Sequence, residues 1–222
     1  MEDGKKMIEI LYEDNHLLVV VKKENIPVQA DISGDIDLLT ILKKYLKDKY
    51  QKPGNVYLGL VHRLDRPVSG VMVFAKTSKA ASRLSEQVRN KSFEKQYHAI
   101  IVGKMDKNKG TLYDKLIKDT KVNIVTVSKF GKDSYLDYEV LDYKDNLSLV
   151  KIDLKTGRSH QIRVQFASRN HPLYGDQKYN KNANKSQICL FASKLSFYHP
   201  ITKEKMEFEY KLPSYYPWNL FK

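Results

Sequence analysis

Cys189 is the single cysteine in 222 residues, so no internal disulfide can form, and its isolation suits a reducing compartment. No apolar run approaches the length needed to cross a bilayer, and the opening MEDGKKMIEI has no signal-peptide core. The expected location is the cytoplasm, without a membrane partner. A Gly-rich phosphate loop is missing too: the Gly-Lys pairs at 103–104 and 131–132 lack the upstream glycine and the following Ser or Thr. No G-x-S-x-G elbow occurs, since Ser69 stands in PVSG. One cysteine and six scattered histidines supply no zinc spacing. Cys189 lies inside an apolar strand and reads as a packed core thiol. There is no fixed-period repeat and no low-complexity linker. What remains for a covalent or acid–base step is a carboxylate.

Against these absences stands a globular composition, with 41% apolar residues spread evenly along the chain. The net charge of +13 is not spread evenly. Residues 91–132 hold ten lysines and four acids, a net of +6, and residues 155–194 hold eight Lys/Arg and only Asp176, a net of +7. Those two stretches carry the whole surplus. Lysine-rich surfaces often serve only solubility, but concentration into two segments favours a positive face for a polyanion. Fifteen tyrosines and eight phenylalanines offer stacking surfaces, although most belong to core and sheet.

Short strands dominate the pattern. MIEILYE and LLVVVKK flank the turn at Asp14-Asn15-His16. From Asp37, Leu38, Ile41, Leu42, Tyr45 and Leu46 recur at helical spacing, with Asp35 or Asp37 as the cap. GVMVFAK (70–76) predicts a strand; Ser78 caps a helix to about Asn90, with Ala81, Leu84 and Val88 inward. QYHAIIVG (96–103), SYLDYEVLDY and NLSLVKIDL predict further strands, the last alternating Val150, Ile152 and Leu154 with Lys151 and Asp153. A short helix follows TGRSH, capped by Ser159, with Ile162 and Phe166 inward. ICLFASKLSFYHP and KMEFEYKLP close the chain as strands, and NKNANKSQ (180–187) is a polar loop. The expected class is α+β, with a mixed, largely antiparallel central sheet and few flanking helices.

One stretch stands apart. In LVHRLDRPVSG, Asp65 sits between Arg63 and Arg66, just before Ser69-Gly70. Read alone, it is either a solvated loop acid paired with its neighbours or a carboxylate held ionised for chemistry on an anionic substrate. HRLDRPVSG (62–70) closely resembles the signature of the RluA-type RNA pseudouridine synthases, and four further motifs follow in order. KQYHAIIVG (95–103) resembles K-x-Y-x-A-x-V-x-G, and GKDSYLDYEVL (131–141) the strand between motifs. KTGRSHQIRVQFASRNHPLYGD (155–176) resembles T-G-R-x-H-Q-I-R followed by H-P-L-x-G-D, and LFASKLSFYHPITKE (190–204) the closing segment. The ordered matches run from about residue 8 to 213. Val68 and Leu136 stand where threonine is usual, Phe191 where histidine is, and KKENIPVQ where a K-P-x-G turn is common. These departures touch loop shape and substrate choice rather than the chemistry.

The resemblance implies a pseudouridine synthase fold with a basic active-site cleft, and one catalytic domain over residues 1–222. With only about seven residues before the first strand, it also implies that the family's N-terminal RNA-binding domain is absent. The implied activity is isomerisation of uridines in structured RNA, rRNA or tRNA, flipped from their stack. The product is an isomer, so no cofactor or metal is expected, and no obligatory protein partner. Asp65 becomes the catalytic carboxylate, as nucleophile at the anomeric carbon or as base toward a glycal. Arg163 becomes its cationic partner, although by position alone it reads as an exposed helix residue in a weak surface pair. Tyr97 becomes the ring beneath the uracil. His62, Arg63, Arg158 and His160 become candidates for gripping RNA or bracing their loops; His171 and Asp176 read as structural. Two other readings stay open: a catalytically idle RNA-binding module, and a nucleoside or glycoside hydrolase, for which no second carboxylate stands out.

Overall fold

The computed structural model describes residues 8–183 and 185–222, which divide into two compact units. The first comprises the chain up to Glu94 together with Lys194–Tyr210; the second comprises Lys95–Ser193 and Lys211–Lys222. The class is α+β, and every strand pairing with a described register is antiparallel.

In the first unit, β1 (Glu9–Glu13) pairs with β2 (Leu17–Lys22) across a bulge between Ile10 and Tyr12. All six residues of β2 are buried, as an uninterrupted apolar run requires. α1 (Leu38–Lys49) buries Leu38, Leu42 and Leu46, one stripe at i, i+4 spacing. Of the two expected caps Asp37 is the one used, accepting the Thr40 N–H at 3.0 Å. After β3 (Gly59–Leu60), β4 (Ser69–Ala75) runs between β2 and β3, with Val19 opposite Val73 and Lys22 opposite Gly70. α2 (Ser78–Arg89) begins one residue after its cap, which is Thr77 rather than the expected Ser78. Thr77 has the extended backbone a cap needs, and its hydroxyl accepts the Ala80 N–H at 3.2 Å. Leu84 is buried as expected, beside Ala80; Ala81 and Val88 are only partly so.

The second unit is built on the strand order β5-β9-β8-β6-β7. β5 (Glu94–Val102) pairs with β9 (Leu147–Leu154), which pairs with β8 (Lys132–Lys144). The stretch between β5 and β8, to which the sequence pattern assigns no element, contains the hairpin β6 (Lys109–Asp119) and β7 (Ile124–Val127). Its pattern is faint because one face lies in solvent and only Leu112, Leu116 and Val125 are buried. α3 (Gln161–Ala167) packs Val164 against Leu116 and Val125. Ser159 does not cap it: the cap position is His160, in the left-handed region at φ 49°, and no side chain bonds there. β10 (Leu190–Tyr198) begins in the second unit and ends in the first, where β11 (Lys205–Glu209) pairs with it and Leu195 and Phe197 join Leu17, Val19, Val71 and Val73 in the core.

Candidate active site

Asp65 lies in the loop that carries the chain from β3 into β4. Its carbonyl accepts the Val68 N–H at 3.0 Å, which closes the turn, and its side chain is half-buried. The turn is braced from within. Lys22, at the end of β2 and fully buried, donates from Nζ to the carbonyls of Lys23 (3.0 Å), Arg66 (2.8 Å) and Val68 (2.7 Å). Three acceptors match the three hydrogens of an ammonium. Burial pushes this lysine down to about 7, with the charges of Asp65 and Glu24 pulling the other way.

The two arginines beside Asp65 behave differently. Arg66 turns away to the loop before α1, donating to Ser33 Oγ at 2.9 Å and to the carboxylate of Asp35, with Asp31 at 3.9 Å. Arg66 is thus committed to the loop before α1. Arg63 is exposed. His62 faces inward: Nε2 accepts the Val73 N–H at 3.1 Å and the ring lies 5.2 Å from Phe93.

The second unit holds the other expected groups. Tyr97 is buried on β5, opposite Ile152 of β9. Arg163 is not a surface residue; only 5% of its side chain is exposed, and Nε and Nη2 grip the fully buried Asp176 at 2.8 and 2.7 Å. Such a bidentate pair suits a guanidinium taken out of water. Asp176 is positioned by the HPLYGD loop, which runs along the end of β5: Val102 donates to Pro172 at 2.9 Å and Tyr174 to Ile100 at 2.8 Å. Gly175 turns the loop at φ 73°, where a Cβ would lie 2.1 Å from the Gln187 carbonyl oxygen. The Tyr179 ring covers Arg163, its centroid 5.2 Å from Cζ, and its hydroxyl lies 2.6 Å from Nδ1 of the buried His160. Arg158 is exposed, with Nε on the Asp133 carbonyl at 3.3 Å. Among the described residues no three His, Cys, Asp or Glu side chains converge as metal ligands.

The first unit thus offers a carboxylate on a braced turn. The second offers a ring on a sheet strand and a guanidinium fixed by a buried acid. Sequence reasoning passed over Lys22 and Tyr179. For Lys22 the one available signal was a lysine closing an otherwise apolar buried strand; for Tyr179 there was none.

The chain matches the family model described as RNA pseudouridylate synthase over residues 16–168. It is 36% identical to the uncharacterized RNA pseudouridine synthase YhcT of Bacillus subtilis (strain 168), covering 93% of this chain and 69% of that protein. It is 34% identical to ribosomal large subunit pseudouridine synthase D of Blochmanniella floridana, covering 93% and 70%. The solved structure of human RNA pseudouridylate synthase domain containing 4 shares the fold, with a TM-score of 0.78, 23% identity, and coverage of 92% of this chain and 88% of that one.

Proposed function

The chain belongs to the RluA-type family of RNA pseudouridine synthases, enzymes that isomerise uridine in RNA, and we propose that Asp65 opens that reaction here. The observation that carries the proposal is the span of the family match. Residues 16–168 contain Asp65, Tyr97 and Arg163 together, which supports reading all three as parts of one catalytic domain.

Isomerisation breaks the bond between the ribose anomeric carbon and N1 of uracil and forms one to C5. The overall change is redox-neutral: the hydrogen on C5 leaves as a proton, and N1, freed of the ribose, gains one. Asp65 begins it as a carboxylate, either by attacking the anomeric carbon or by taking a ribose proton to give a glycal. Both routes use the carboxylate form of the side chain. Arg163, whose Nε and Nη2 hold Asp176, is the proposed cationic partner of that carboxylate. Tyr97 holds the detached uracil by stacking, worth about 1–3 kcal/mol, and its hydroxyl takes the proton from C5. The uridine reaches these groups by leaving its stack. Arg63 and Arg158, both exposed, are the better placed of the four expected RNA contacts; His62 and His160 brace their loops.

Relatives named as large-subunit ribosomal synthases favour rRNA as the substrate, with tRNA the competing choice. Mapping pseudouridines in cellular RNA with and without this protein decides between them. The test of the chemistry is Asp65→Asn. It should bind RNA as the parent does yet release no hydrogen from C5 of labelled uridine. Turnover retained in that variant would remove Asp65 from its role.

A further inference from the structure

A second cation in the second unit has no role in the scheme above. Lys95 precedes Tyr97 by two positions on β5, so both side chains leave the same face, their Cα atoms about 7 Å apart. Its side chain reaches the TGRSH turn: a Cβ built on Gly157 would lie 3.1 Å from Lys95 Nζ. The half-buried ammonium donates no hydrogen bond and pairs with no carboxylate among the described residues. The other two deeply placed lysines are served differently. Lys22 has three carbonyls, and Lys76 has Glu13 at 2.9 Å and the Asp14 carbonyl. Burial lowers the Lys95 pKa with no acid to offset it. Holding a cation part-way out of water without a counter-charge costs stability.

A uridine within RNA brings an anion of its own, the phosphodiester on either side of it. We infer that Lys95, the bare backbone of Gly157 and the exposed guanidinium of Arg158 form a phosphate-binding site that grips the RNA strand next to the uridine on Tyr97. The inference rests on the reading of Tyr97 given above. Gly157 matters because a side chain there would fill the space at the ammonium, while its absence lets a phosphate oxygen approach. A contact of this kind fixes register along the strand and carries no base information.

The experiment compares the parent with Lys95→Met and Lys95→Arg. It measures binding to a uridine-containing transcript across a range of salt, then kcat and KM on a converted substrate. Lys95→Met should lose about tenfold in affinity at low salt. Its slope of log K against log salt should fall by about 0.7–0.9, the loss of one phosphate contact. Lys95→Arg should keep the slope. Lys95→Met should also melt no lower than the parent, because an unpaired cation has been removed. KM should rise by more than kcat falls. A methylphosphonate at the contacted phosphate should weaken the parent and leave Lys95→Met unchanged. An unchanged salt slope in Lys95→Met, or a lowered melting temperature with that slope intact, would overturn the inference. Failure of the functional reading looks different: the parent would convert no uridine, while the salt comparison still reports on the phosphate contact.

Discussion

Lys22 and Asp65 meet at a single turn, although forty-two intervening residues separate them. Lys22 holds the carbonyls of Arg66 and Val68, and Asp65 closes the same turn by accepting the Val68 N–H. The positively charged end of a strand thereby sets the backbone from which the carboxylate projects. Burial works against that charge, and Asp65 is the strongest influence sustaining it.

Lys22→Met should therefore act on the position of Asp65 more than on the fold. Orphaned carbonyls cost about 1–3 kcal/mol each, offset in part by removal of a buried cation. The expected result is a modest fall in the urea midpoint together with a kcat reduced about 10–100-fold, the scale of a small misplacement of a reacting group. RNA affinity should hold. A kcat within twofold of the parent would mean that the turn keeps its shape without the ammonium.

Arg163 and Asp176 form the second fixed point, and here removal should be felt in stability. Asp176 is fully buried; it accepts both guanidinium bonds and the Lys178 N–H at 2.9 Å. Asp176→Asn weakens the carboxylate grip on Nε and Nη2 of the buried Arg163, and breaking a buried pair in this way costs about 3–5 kcal/mol. Chemical denaturation should show the midpoint falling accordingly. A shift below about 1 kcal/mol would place the pair among those that contribute little.

Cys189 offers a probe of the core. It is fully buried, and burial pushes its thiol up to about 12. In the native protein a thiol reagent should find almost no reactive group at pH 8; in denaturant it should titrate one per chain. Prompt reaction of the folded protein would show the end of β10 opening far more readily than its packing implies.

Much of this was legible beforehand, for identifiable reasons. β2, β4 and β10 are covered on both faces and read as apolar runs, and β9 shows alternation because Val150 and Ile152 are fully buried while Lys151 and Asp153 are only partly so. The i, i+4 leucines of α1 and an adjacent Asp located that helix and its cap. The β6–β7 hairpin escaped because Leu112 and Leu116, four apart, mimic helical spacing, while the solvent face mixes Lys115 with the exposed Tyr113 and Ile117 and so shows no clean alternation. Of the site, Asp65, Tyr97 and Arg163 came from motif resemblance. Pattern alone makes Arg163 a surface residue, since nothing local reveals the acid thirteen positions on that draws it inside. The role of Lys22 depends on carbonyls forty-four and forty-six positions away, a relationship no local window contains.

Glu13 supplies the pH dependence. Burial by itself would raise this carboxyl, but hydrogen bonds from Lys49, Lys76, Tyr50 and Tyr45 overcome it and bring it down to about 2. Lys49, Tyr45 and Tyr50 come from α1 and its end, and Lys76 follows β4, so the acid ties both of those parts of the first unit to β1. Because the folded value lies below the unfolded one of 4.5, the stabilisation is complete above about pH 4.5 and is lost as pH falls through 2. Its full size is roughly 3 kcal/mol, since each unit of displacement corresponds to about 1.4 kcal/mol. Glu13→Gln should lower stability at pH 7 by about that amount. It should also flatten the loss of stability between pH 4.5 and 2, measured by urea unfolding at a series of pH values. A parallel offset, with the acid slope of the parent retained, would assign that slope to other carboxylates.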